Sequence, residues 1–360
     1  MVNKTMKRIL IVDDSELMCE LIKETLRGLE EDKVIFTATN PLIAIRKANL
    51  FKIDLALVDY EMPYMNGLLL IGYLKEINPL TKIVMVSAYT EPGAQITLEA
   101  LAKGAIDYIL KPANKEEFKE FKKELSEKVQ WILAGRELSR KKSKVEKDKT
   151  KVLNSLEGLK TYTSNYLVDK LRESKVIAIG ISTGGPPVLE KIFTNLKKDF
   201  SIPILVVQHM PPTFTKALAE RLCKISQRQV KEAEDGEKIE NGVIYIAKGG
   251  VHMAVEKILG KYYIRLLENV EKVNSHKPSC DILFSSVAEW YGKNATGIIM
   301  TGMGCDGANG LLEMKNQGAL TIAQSKESCV VFGMPRVAIE KGAAEAVLST
   351  DDIIRLLNEV

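Results

Sequence analysis

The stretch Val176-Ile-Ala-Ile-Gly-Ile-Ser-Thr-Gly-Gly-Pro-Pro-Val188 leaves this chain few folding options. Its first six residues are β-branched or small and apolar throughout. That is the pattern of a parallel strand buried on both faces, not of a half-exposed strand. The strand breaks at Gly180-Ile-Ser182-Thr-Gly184-Gly185, and two prolines then open an apolar-periodic helix (Val188, Leu189, Ile192, Phe193, Leu196). Proline is tolerated in a first helical turn, where its missing N–H would be unpaired anyway. Gly-x-Ser-x-Gly at a strand-to-helix turn exposes a serine hydroxyl beside free helical N–H groups. The same glycine-rich geometry also cradles phosphate, and it also serves plain tight turns. All three readings stand on this stretch alone.

At 360 residues the chain has room for two or three domains, and its 46% hydrophobic and 27% charged content is that of an ordinary globular protein. The net charge of +4 gives no strong case for nucleic acid. No apolar run reaches bilayer length, and the first residues do not read as a signal peptide. Five widely spaced cysteines without a CxxC argue for reduced thiols in the cytoplasm, and against disulfides or structural zinc.

The first 112 residues alternate strand and helix. Strands are expected at 8–12, 34–39, 55–59, 83–87 and 106–110, with helices at 15–29, 44–50, 68–77 and 96–103. Five βα repeats imply a doubly wound parallel sheet, whose ligands gather at the C-terminal strand ends. Asp13, Asp14, Asp59, Ser87 and Lys111 all fall there. Three converging carboxylates repel one another and call for a hard cation such as Mg²⁺. These residues, with Asp59-Tyr-Glu-Met-Pro-Tyr-Met-Asn-Gly67 and Lys111-Pro112, resemble the two-component receiver domain over residues 6–130. The resemblance implies that Asp59 accepts a phosphoryl group from a histidine kinase. Asp13, Asp14, Asp59 and the backbone carbonyl of Glu61 would hold Mg²⁺. Ser87 and Lys111 would contact the phosphoryl oxygens, and Tyr108 stands where the family places its switch aromatic.

A helix at 114–133 leads into Arg136-Glu-Leu-Ser-Arg-Lys-Lys-Ser-Lys-Val-Glu-Lys-Asp-Lys-Thr-Lys151, eight basic against three acidic residues. Without interleaved aromatics this run reads as a solvated linker. A weaker helical pattern covers 152–171.

Beyond it the alternation resumes. A strand at 202–208 ends in His209-Met-Pro-Pro212. Strands at 242–247, 253–256 and 262–267 suggest an antiparallel insert near 242–268. A helix covers 282–290. A strand at 297–300 ends in Thr301-Gly-Met-Gly-Cys-Asp306-Gly307, and a helix and a strand at 320–323 follow. Ser182, His209 and Asp306 are therefore a nucleophile, a base and an orienting carboxylate at three strand ends. The α/β-hydrolase order puts histidine last, and no histidine follows Asp306, which disfavours that fold. The alternative of Asp235 with His252 or His276 is weaker, because both histidines sit in polar loop or hairpin contexts. They are expected at the surface or facing substrate. A phosphate-loop reading lacks a Walker lysine, and no helix-turn-helix signature is present.

Gly180-Ile-Ser-Thr-Gly-Gly185, Gln208-His-Met-Pro211, His276-Lys-Pro-Ser279, Thr301-Gly-Met-Gly-x-Asp306-Gly307 and Ser328-Cys-Val-Val-Phe-Gly-Met-Pro335 closely resemble the catalytic domain of the chemotaxis protein-glutamate methylesterases. The resemblance implies hydrolysis of γ-glutamyl methyl esters on chemoreceptors with release of methanol, and deamidation of receptor glutamines in many members. It implies the triad above with support from Thr183 and an oxyanion donor in the Met303 N–H, and no cofactor for the esterase. Lys248, Cys280 and Ser325 depart from the usual pattern. The expected whole is α/β, two doubly wound parallel-sheet domains. One is a flavodoxin-like receiver (6–130). The other is a Rossmann-like methylesterase domain with an antiparallel hairpin insert (173–360), joined to the first by a charged linker (131–172). It is expected to be phosphorylation-activated, cytoplasmic and not membrane-inserted, with a chemotaxis histidine kinase and methyl-accepting chemoreceptors as partners and no nucleic acid.

Overall fold

The computed structural model describes residues 6–29, 32–87, 91–134 and 164–360. The basic run 136–151 and the first part of the weak helical pattern lie outside these. The chain divides into two compact units, 1–141 and 142–360, each with its own parallel sheet.

In the first unit five strands, β1 (Lys7–Val12), β2 (Lys33–Ala38), β3 (Leu55–Asp59), β4 (Lys82–Ser87) and β5 (Asp107–Leu110), alternate with α1 (Glu16–Arg27), α2 (Pro41–Leu50), α3 (Gly67–Ile77), α4 (Glu91–Ala102) and α5 (Glu117–Ala134). The sheet order is β2-β1-β3-β4-β5, parallel throughout. This is the flavodoxin-like order, with its switch point between β1 and β3. Ile9, Leu10, Ile11, Leu55, Ala56, Leu57 and Val58 are fully buried, which is why these strands read as unbroken apolar runs. Side chains of Ser15, Asn40 and Asn66 accept the N–H groups of Met18, Ile43 and Leu69 and so start α1, α2 and α3. Helix α4 begins five residues earlier than expected. Pro92 in its first turn does not interrupt it, since no intrahelical N–H is lost there.

The second unit opens with α6 (Ser164–Arg172) and β6 (Val176–Ile181). Then come α7 (Gly185–Asn195), β7 (Ile204–Gln208), α8 (Phe214–Ser226), β8 (Val230–Glu232), β9 (Ile244–Ile246), and the hairpin β10 (His252–Ile258) and β11 (Lys261–Leu267). After α9 (Cys280–Tyr291) follow β12 (Ala295–Ile299), α10 (Ala308–Asn316), β13 (Leu320–Gln324), α11 (Met334–Glu340), β14 (Ala346–Leu348) and α12 (Thr350–Leu357). Seven strands form one parallel sheet in the order β14-β13-β12-β6-β7-β9-β8. The antiparallel insert is narrower than the sequence suggests. Only β10 and β11 pair antiparallel, whereas β9 lies in the main sheet, parallel to β7. Three residues are too few to show a period, so the two settings of β9 look alike in sequence.

From β6 the chain runs outward to β7 and then returns to β12 on the other side of β6. The crevice between the carboxyl ends of β6 and β12 is therefore the switch point. At the far edge, α12 is started by a capping box. Ser349 Oγ accepts the Asp352 N–H at 3.1 Å, and Asp352 Oδ2 accepts the Ser349 N–H at 3.3 Å and hydroxyl at 2.6 Å. The hydroxyl, chiefly, holds the Asp352 carboxyl below its ordinary value. A depressed folded-state pKa stabilises the helix above the unfolded value and ceases to do so as pH falls through the folded one. Ser349→Ala is expected to raise amide hydrogen exchange across 350–357 by the equivalent of about 1 kcal/mol at neutral pH. The difference should shrink as the buffer is taken below about pH 4.

Candidate active site

Both sheets place polar side chains where their strands end. In the first unit Asp13 follows β1, Asp59 ends β3 and Ser87 ends β4, all buried, while Asp14 is exposed. Carboxylate oxygens of Asp13, Asp14 and Asp59 lie within 4.8 Å of one another. Lys111 Nζ bridges Asp13 Oδ2 and Asp59 Oδ2, at 2.8 Å each. Burial pushes the Asp59 carboxyl up to about 6, with the Asp13 charge adding to the rise, even though Lys111 opposes it. The cluster sets three carboxylates against the one lysine that bridges two of them. Oxygens at this spacing fit a divalent cation, whose ligands stand ~2.0–2.6 Å from the ion. The Ser87 hydroxyl accepts that of Thr97 at 3.1 Å. Tyr108 is buried, with the Lys128 ammonium 5.2 Å from its ring centroid. Glu61 is exposed in the loop after β3.

In the second unit the turn after β6 puts Ser182 at the N-terminus of α7. Gly184, at φ 77°, adopts the left-handed conformation that a side chain disfavours. β6 and β7 pair in parallel with Ile181 opposite Gln208, and the His209 N–H donates to Ile181 O at 3.1 Å. Ser182 and His209 are thus successive to a paired position on neighbouring strands. The Ser182 N–H donates to Thr301 O at 2.9 Å, which brings the loop after β12 alongside.

His209 Nε2 meets Asp306 Oδ2 at 2.8 Å. Asp306 is wholly buried, and four further donors converge on its carboxylate. They are the Asn274 amide (3.0 Å), the Ser279 hydroxyl (2.6 Å) and the N–H groups of Cys280 (2.6 Å) and Asp281 (3.4 Å). Burial favours the neutral acid, but the His209 bond and charge, then Ser279 and Asn274, hold Asp306 well below the usual carboxylate range. It is a fixed anion. His209 Nδ1 is buried and has no hydrogen-bond partner among the described residues. The Ser182 side chain, 9% exposed as a residue, makes no hydrogen bond there either. The imidazole–carboxylate pair is formed, and no hydrogen bond joins the serine to the imidazole among the described residues. The Met303 N–H also makes no hydrogen bond among the described residues and so remains a donor. The Thr301 hydroxyl donates to Thr183 O at 2.9 Å and accepts the Val331 N–H at 3.0 Å. Gln324 receives the Thr301 N–H at 2.7 Å. Three loops are tied together behind the serine.

One expectation changes, and one disfavoured alternative stays excluded. His252 is not at the surface but 0% exposed. Its Nε2 meets Glu271 O at 2.9 Å and its Nδ1 accepts the Ser279 N–H at 3.1 Å, so both nitrogens serve the fold. The first residue of a strand points inward or outward by register, which a polar context does not reveal. Asp235 does not pair with a histidine. Its carboxylate takes the Leu266 N–H at 2.8 Å and Arg265 at 3.3 Å. Cys280 Sγ lies 3.5 Å from His209 Nε2, but burial first, and then the charges of Asp306 and Asp281, push its pKa well above the ordinary value, leaving a neutral thiol. Sequence reasoning assigned no role to Asn274, Thr301 or Gln324. Their one signal was position, in polar runs at strand ends or ahead of a helix.

The family profile described as CheB methylesterase matches residues 177–357, and that of the response regulator receiver domain matches 9–122. The chain belongs to the CheB methylesterase family. The protein-glutamate methylesterase/protein-glutamine glutaminase of Sulfurimonas denitrificans is 42% identical over 352 residues, covering 96% of both chains. The protein of the same description from Archaeoglobus fulgidus is 40% identical over 357 residues, covering 97% of this chain and 98% of its own. The crystal structure of the Thermotoga maritima CheB methylesterase catalytic domain covers 52% of this chain and 99% of its own, at 45% identity and a TM-score of 0.50. The chain is thus a methylesterase-family enzyme with a receiver domain.

Gly302 separates the catalytic loop from the serine. A Cβ there would lie 2.8 Å from Ser182 Cβ and against Met334 Sδ. Gly302→Ala is expected to displace the loop and slow hydrolysis of an activated ester by about 10²-fold. Initial rates at matched concentrations of folded protein check this. A wild-type rate would mean that the loop absorbs the methyl group.

Proposed function

We propose that the chain is a phosphorylation-activated serine hydrolase that removes methyl groups from glutamyl methyl esters of chemoreceptors and deamidates receptor glutamines. The observation that carries the chemistry is a serine at a helix N-terminus, beside an imidazole whose far nitrogen is held by a buried carboxylate. Ser182 attacks the ester carbonyl, and His209 takes its proton on Nδ1, the nitrogen that Asp306 leaves free. Asp306 fixes the tautomer and stabilises the imidazolium. N–H groups near Thr183 and Met303 stabilise the oxyanion. Methanol leaves with a proton from His209, which then activates the water that hydrolyses the acyl-enzyme. Nucleophile, base and oxyanion donors all come from the chain itself in this reading, with no cofactor in the esterase steps.

In the receiver, Asp59 is the phosphoacceptor and a chemotaxis histidine kinase the donor. Asp13, Asp14, Asp59 and the Glu61 carbonyl would hold Mg²⁺, which when bound would supply positive charge to offset that of the incoming phosphoryl group. Ser87 and Lys111 contact the phosphoryl oxygens, and Tyr108 responds to the change at Ser87. No described helix is long and apolar enough to cross a membrane. We place the enzyme in the cytoplasm, acting on receptor segments exposed there, with residues 6–130 as receiver, 131–172 as linker and 173–360 as catalytic domain.

Methanol release from methylated receptor membranes, with and without a small-molecule phosphodonor, tests the whole reading. Ser182→Ala, His209→Ala and Asp306→Ala are each expected to reduce it by about 10⁴-fold or more, because the three act as a unit. Because Asp306 stays ionised far below neutrality, Asp306→Asn should lose activity at every pH rather than move the profile. Phosphodonor and Mg²⁺ should label Asp59, and mass spectrometry should find no label on Asp59→Asn. Phosphorylation should raise the esterase rate by about 5- to 150-fold, the usual span of coupling between two sites. An unchanged rate on full labelling would leave the receiver without control of the esterase.

A further inference from the structure

The triad does not account for His276. Its imidazole lies flat on that of His209, with ring centroids 3.8 Å apart and planes inclined by 9°. Parallel rings cannot hydrogen-bond to each other, so no proton passes directly between these two. The segment bearing His276 is a closed, hydrogen-bonded turn. Val273 and His276 exchange both of their backbone hydrogen bonds, at 3.1 and 2.9 Å. The two residues between them, Asn274 and Ser275, have φ of 51° and 69°. This is the two-residue hairpin turn with positive φ at both central positions, for which asparagine is among the favoured residues. The same turn aims the Asn274 amide at Asp306 Oδ1. One short loop therefore touches both members of the imidazole–carboxylate pair, the carboxylate through Asn274 and the imidazole through His276.

The His209 ring is tethered at two points, its own Cβ and the Nε2 bond to Asp306. A ring held so can rock about the line joining those points, and rocking swings Nδ1 sideways. Nδ1 is the atom that must face the serine, and no hydrogen bond among the described residues restrains it. A flat ring pressed against the face of the imidazole opposes that motion. We infer that His276 is a positioning residue of the esterase, stacking on His209 so that Nδ1 stays in line with Ser182. This rests on the proposed role of His209 as base.

The test is steady-state hydrolysis by the full chain of a soluble activated ester. His276→Ala is expected to lower kcat by about 10- to 100-fold with KM within about twofold, as suits a misaligned base rather than a lost substrate contact. His276→Phe keeps a flat ring without a titratable nitrogen and should stay within about threefold of the wild type. The downfield proton resonance of the His209–Asp306 hydrogen bond should persist in both variants. The inference is overturned if His276→Ala stays within threefold of the wild type, if His276→Phe is as slow as His276→Ala, or if that resonance vanishes in His276→Ala. His209→Ala run alongside separates the two failures. Activity surviving in it overturns the base assignment. Activity lost in it but kept in His276→Ala overturns the stacking role alone.

Discussion

A fully buried carboxylate surrounded by five donors organises the catalytic half of this molecule. An ionised group away from water is expensive unless its lone pairs are all engaged. Asp306 meets that demand by drawing on several elements at once: β7 through His209, the turn at Asn274, and the first turn of α9 through Ser279, Cys280 and Asp281. The dependence runs both ways. The first N–H groups of a helix have no partner within it, and an anion placed there also suits the positive end of the helix dipole. Asp306 therefore completes the start of α9, and the start of α9 keeps Asp306 charged.

The sheets and the strand-end residues were legible in sequence because parallel strands buried on both faces read as unbroken apolar runs, as at Val176–Ile181 and Leu55–Asp59. The polar residues that interrupt such runs stand out for the same reason, and Ser182, His209, Asp306 and Asp59 did. What stayed hidden lies where periodicity fails. β8 and β14 have three residues each, too few to show a pattern. The burial of His252 depends on which way one strand faces. The stack of His276 on His209 joins residues 67 positions apart through a turn whose two positive-φ residues no local pattern announces.

The two units use one physical arrangement for different chemistry. In each, side chains leave the carboxyl ends of parallel strands beside a topological switch point, at β1 and β3 in one and at β6 and β12 in the other. The charge balance differs. Around Asp59 carboxylates are in excess, and burial and Asp13 together push its pKa up to about 6, which suits a group that awaits positive charge. Around Asp306 hydrogen-bond donors are in excess, and its charge is permanent.

Ser182 and His209 follow directly on Ile181 and Gln208, which pair on adjacent strands. Their separation is therefore set by the spacing of a parallel ladder, ~4.8 Å between strands, and not by how a loop happens to close. Such a distance comes in steps. Slipping β7 by one residue would bring Gln208 or Met210 opposite the serine and turn the imidazole to the other face of the sheet, so no graded path leads from a working pair to a slightly wider one. Length changes between residues 210 and 300 can accumulate without touching this distance, while the two strands that carry it must be inherited as a block.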